Sequence, residues 1–80
     1  MVKYTSISKY KEDLSKELRN LGEDIVEDAI QDSEVHLKMM IREIRKEDPG
    51  IRRKKAVHFA IRSFGYPSEI ADVYRSFENP

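Results

Sequence analysis

Apolar residues recur along this chain at steps of three and four, and no stretch alternates apolar with polar in the manner of a strand. Ile7, Tyr10, Leu14, Leu18 and Leu21 share one side of a helix over about 6–21. Thr5 or Ser6 is placed to cap its start, and Gly22 to end it in a left-handed conformation. Val26, Ala29, Ile30, Ser33, Leu37, Met40, Ile41 and Ile44 continue a second stripe, which predicts the longest helix over about 24–46. Pro49 breaks it. Asp48 reads as the N-cap of a third helix over 49–64, with Pro49 in its first turn and Gly65 as its C-cap. Its inner stripe is Arg53, Ala56, Val57, Ala60, Ile61 and Phe64. Pro67 opens a fourth helix over 67–77, with Tyr66 at the N-cap, Glu69 favouring the dipole, and Ile70, Val73, Tyr74 and Phe77 facing inward.

These stripes predict an all-α fold: one compact four-helix domain over residues 1–80, built from two helical hairpins. Eighty residues lie near the lower end of what folds without staples, and the absence of cysteine excludes disulfides and thiolate metal sites. No run of eighteen apolar residues occurs, so membrane insertion is not expected, and a soluble cytoplasmic protein is.

Charge changes the picture more than composition does. Charged residues make up 38% of the chain and cancel, but unevenly. Every charge from Glu23 to Glu34 is acidic, and every charge from Arg52 to Arg62 is basic. Such polarity invites contact between complementary segments, within the molecule or across to a partner. The internal version has the third helix packing beside the acidic start of the second.

Three groups of residues carry candidate chemistry. Asp32 and His36 stand one helical turn apart and with His58 would make a minimal metal set. Without an HExxH pattern, a structural His36 bonded to Asp32 is the simpler reading, and no metal or cofactor is expected. No Gly-rich phosphate loop or nucleophile elbow appears and the acids lie off the apolar stripes, so an enzyme is not expected. The third helix has a basic face, and Arg52, Lys54, Lys55, His58 and Arg62 are the candidates for phosphate contact if the partner is nucleic acid. Some apolar residues, among them Met39, Ile51, Phe59 and Tyr66, fall outside the inner stripes, as contact surfaces often do. Ile51, Lys55, Phe59, Arg62 and Tyr66 are accordingly the candidates for protein contact, either with another protein or in a homodimer.

The stretches EDAIQDSEVHL and AVHFAIRSFGYPSEIADVY resemble the HAAS domain, a small all-helical signalling module. The likeness rests on an acid-rich amphipathic helix with Glu34 and His36 before Leu37. It continues in an Ala/Ile helix ending in Phe64-Gly65, followed by Pro67 and Glu69-Ile70-Ala71. It implies a non-catalytic role in relaying signals through helix contacts, often beside PadR-type transcription regulators or membrane sensors. Tyr66 stands where that pattern has an acidic residue, and EDPGIRRKK is more basic than its usual linker. The stretch DPGIRRKKAVHFAIRSFGYPSEI also resembles one HEAT repeat, a hairpin that needs a neighbour to bury its core. Both likenesses point to a helical surface that binds protein.

Overall fold

Ser6 sits in extended backbone, and its hydroxyl accepts from the Lys9 amide at 3.4 Å, capping the first helix, α1, over Ile7–Leu18. In the computed structural model, which describes residues 4–78, a 3-10 turn over Arg19–Leu21 tightens the end of α1. Gly22 then redirects the chain at φ +98°, a conformation that only glycine adopts freely. The second helix, α2, covers Glu23–Glu47, with Glu23 and Asp24 in its first turn and Arg45 and Lys46 in its last. That order complements the helix dipole at both ends. At about 1.5 Å per residue α2 is roughly 37 Å long, and it dominates a molecule measuring 43 × 24 × 19 Å.

The third helix, α3, spans Arg53–Phe64 and the fourth, α4, Pro67–Glu78. No strand occurs among the described residues, so the fold is all-α. The start of α3 differs from the expectation at Asp48 and Pro49. Asp48 instead closes α2, donating its amide to the Ile44 carbonyl at 2.9 Å, and its own carbonyl accepts from the Ile51 amide at 3.0 Å. Pro49-Gly50 therefore forms the middle of a tight turn, the conformation that this dipeptide favours over a first helical turn. Arg52 precedes α3 in extended backbone without a side-chain cap, and the helix opens on cations.

Tyr10, Leu14 and Leu18 of α1 are fully buried, as are Ala29 and Leu37 of α2 and Ala56, Ala60 and Ile61 of α3. Ser33 is buried with them, consistent with a small residue that lets helices approach. The pairing of helices is not that of two hairpins. α3 packs on α2, α1 on α2, and α4 on α1, whereas α3 and α4 are not closely paired. Gly65-Tyr66 alone separates α3 from α4, and counting that run as one bent rod leaves three helices rather than four. The break thus turns the chain from the face of α2 to the face of α1, instead of folding α4 back onto α3.

The inner face of α4 is also displaced from the expected one. Ala71 is fully buried and Ile70 and Tyr74 are half-buried, but Val73 is 52% exposed and Phe77 79%. At 100° per residue this places the buried face about 60° from the stripe of Ile70, Val73, Tyr74 and Phe77. Small Ala71 lets α4 lie close on α1, and a residue two positions on points away from that contact.

Tyr4 packs its ring edge-on to Tyr10 at 5.9 Å and donates a hydrogen bond to Asp13 Oδ2 at 2.6 Å. Burial, reinforced by the bond to Asp13, pushes the Tyr4 hydroxyl up to about 12. The same bond holds the Asp13 carboxyl below its usual range. Because the folded value lies above the unfolded one of about 10, Tyr4 contributes stability in full below pH ~10. That contribution is lost as pH rises through the folded value. Subtracting the alkaline absorbance titration of Tyr4→Phe from that of the wild type should leave a phenolate step near 12. A step at the free-tyrosine position, with the helices still intact by circular dichroism, would contradict the burial.

Candidate functional site

α3 runs antiparallel to α2. Its last residue, Phe64, stacks on His36 at 5.9 Å with the rings only 20° apart, while its first turn lies across the tight turn from the end of α2. This register corrects the expected neighbour of the basic run. Arg52, Arg53, Lys54 and Lys55 share one end of the molecule with Arg42, Arg45 and Lys46, not with the acidic start of α2. None of these seven cations, nor Arg62, makes an ion pair among the described residues. The acidic segment finds partners elsewhere: Glu34 bonds Lys11 of α1 and Lys38 of α2, each at 3.0 Å, and Asp32 lies 3.7 Å from His36. The Lys11 bond, with that from Lys38, holds the Glu34 carboxyl below its ordinary range.

On α3 the outward stripe contains Lys55, Phe59 and Arg62 at steps of four and three. Phe59 is 38% exposed, and the Lys55 ammonium lies 5.8 Å from its ring centroid, within cation–π range. His58 stands beside it, with the two rings 6.0 Å apart. His58 is half-buried rather than fully solvated, and its Nδ1 is enclosed without a hydrogen-bond partner among the described residues, so that ring presents less to solvent than its place among cations suggests.

The other two protein-contact candidates do not join this stripe. Ile51 lies before the helix, half-buried against the core. Tyr66 lies past its end, also against the core, with its ring 5.9 Å from Tyr4. It lines a shallow groove with Tyr4, Asp13, Lys16, Glu17, Pro67 and Ser68, between α1 and the start of α4. Arg52 and Lys54, named for nucleic acid, are exposed beside Lys55. Arg42, Arg45 and Lys46 extend the same cationic end from α2. Their signal in the sequence is the short connection over 48–52, which obliges the last turn of one helix and the first turn of the next to be neighbours.

Asp32 and His36 form an exposed pair on α2, and among the described residues no three His, Asp or Glu side chains gather as metal ligands. No helix among those residues is long and apolar enough to cross a membrane. The site therefore offers a cation-covered aromatic ring, a set of free cations and no convergent acid–base pair. Comparison of the chain with protein-family models, with curated proteins and with solved structures finds no match.

Proposed function

We propose that this protein is a non-enzymatic interaction module that takes a partner protein on the outer face of α3. The observation that carries this reading is Phe59, a large aromatic side chain left exposed beneath Lys55 while its neighbours Lys55 and Arg62 make no ion pair among the described residues. An exposed aromatic ringed by unpaired cations suits a partner with an apolar anchor and a carboxylate rim. Ile51 and Tyr66 then act from within, holding the two ends of α3 against the core. The likeness to the HAAS domain adds a signalling role in the cytoplasm, with a transcription regulator as the kind of partner.

Charge reversal tests this surface. Lys55→Glu combined with Arg62→Glu should weaken capture of partners from native lysate about tenfold, ~1.4 kcal/mol. Both positions are exposed, so the unfolding free energy should change by no more than ~0.5 kcal/mol. Unchanged capture by the folded double variant would remove α3 from the interface.

The cationic end formed by α2 and α3 supports a second reading, contact with nucleic acid through Arg52, Lys54, Lys55, His58 and Arg62. Titration with duplex and single-stranded DNA and RNA at two salt concentrations separates the two. Binding that collapses with salt favours phosphate contact, because affinity then comes from released counterions.

A further inference from the structure

The face of α2 turned away from the core carries six exposed residues at alternating steps of four and three: Asp28, Asp32, Val35, Met39, Arg42 and Lys46. This is the spacing of a coiled-coil seam. Val35 is 53% exposed and Met39 57%. Two acids precede this apolar pair and two cations follow it, so the ridge is an electrostatic palindrome. Its midpoint lies level with Leu37, whose side chain points the opposite way into the core. Counting from that midpoint at about 1.5 Å per residue, Val35 and Met39 lie ~3 Å to either side, Asp32 and Arg42 ~7.5 Å, and Asp28 and Lys46 ~13 Å.

From this arrangement we infer that α2 is a self-association surface, on which a second copy of the chain docks antiparallel about a two-fold axis at the level of Leu37. An antiparallel copy brings Val35 against Met39, Asp32 against Arg42 and Asp28 against Lys46, each pair occurring twice because a two-fold interface is isologous. A parallel copy would set Asp28 on Asp28 and Lys46 on Lys46, so charge selects the orientation as well as the partner.

The free groups agree with this occupant. Among the described residues Asp28, Arg42 and Lys46 make no ion pair, and Asp32 has only His36 at 3.7 Å. Lys38 flanks the ridge near the midpoint, but Glu34 holds it at 3.0 Å. Shallow grooves border the ridge on both sides and offer room for the edges of a second helix. One is lined by Asp28, Gln31, Asp32, Val35 and Tyr74, the other by His36, Met39, Met40, Glu43, Ile44 and Ser63. With only two apolar layers at the centre, the pairing is reversible and salt-sensitive. It uses α2, not the Lys55–Phe59–Arg62 stripe, and stands whether or not α3 binds a partner.

Sedimentation equilibrium on three chains tests it: the wild type, an all-basic ridge (Asp28→Lys with Asp32→Lys) and an all-acidic ridge (Arg42→Glu with Lys46→Glu). The wild type should form a monomer–dimer equilibrium at low salt, weakened roughly tenfold or more when salt shortens the Debye length to ~3 Å. Each ridge variant alone should stay monomeric, and the two mixed should form a heterodimer. A wild type that stays monomeric to millimolar concentration would overturn the inference, as would a dimer that neither variant weakens.

Disulfide trapping reads the register without altering any charge, since the chain has no cysteine of its own. Val35→Cys mixed with Met39→Cys should cross-link in preference to either chain alone. Equal cross-linking of Val35→Cys with itself would contradict the antiparallel arrangement.

Discussion

Replacing Tyr10 by alanine should remove a large share of the stability of this chain. Tyr10 is fully buried in α1, with its ring near those of Tyr4 and Phe64, and its hydroxyl donates to the Gly65 carbonyl at 2.8 Å. Truncating a buried aromatic side chain costs about 3–5 kcal/mol. A chain of this length has a margin on the order of 4–12 kcal/mol. Tyr10→Phe separates the ring from the hydroxyl. It keeps the packing but leaves the Gly65 carbonyl, enclosed where α3 gives way to α4, without its donor, at a cost of about 1–3 kcal/mol. Urea unfolding of the three proteins, read as a shift in midpoint at constant slope, gives both numbers. A Tyr10→Phe midpoint equal to the wild-type one would show that the hydroxyl contributes nothing to joining α1 to the break. Burial, chiefly, also pushes the Tyr10 hydroxyl well above the ordinary tyrosine value, so this bond keeps its proton throughout the neutral range.

Gly65→Ala should also be strongly destabilising, at about 2–3 kcal/mol, with Gly22→Ala at about 1–2 kcal/mol. Both glycines hold positive φ, +130° at Gly65 and +98° at Gly22, where a Cβ is strained whatever the space around it. Their surroundings separate them. A Cβ on Gly22 meets nothing within 4 Å, whereas one on Gly65 comes 3.1 Å from Ile70 Cδ1 and 3.3 Å from Glu69 Oε2. The ends of those side chains can yield somewhat, so crowding adds to the backbone cost without dominating it. Moving them also disturbs the first turn of α4 and the carbonyl that Tyr10 holds. Denaturant midpoints for the pair of variants check the order; a Gly22→Ala cost equal to or above that of Gly65→Ala would mean that the backbone term alone decides both.

The candidate surface was only partly legible before folding. Lys55, Phe59 and Arg62 are three to four residues apart within one helix, so their common face follows from helical geometry, and Phe59 is exposed as expected. Ile51 and Tyr66 lie beyond the two ends of that helix, where 3.6-residue periodicity no longer relates them to the stripe, and the core claims both. The basic run was misplaced for a similar reason. Charge complementarity between segments favours contact, but the short connection over 48–52 fixes which turns meet, and chain continuity outweighs surface attraction in ordering neighbours.

Local pattern by itself determined the all-α class, the span of α2 to within a residue, that of α1 once its closing 3-10 turn is counted, a cap at Thr5 or Ser6, and the stops at Gly22 and Gly65. These depend on residues within a few positions of one another, and backbone sterics act at that range. Tertiary structure alone decided how far α4 is turned about its axis and that α4 lies on α1 instead of α3. Each of those outcomes sets one burial against another between residues distant along the chain, as Tyr10 and Gly65 are, and periodicity within a single segment holds no information about that competition.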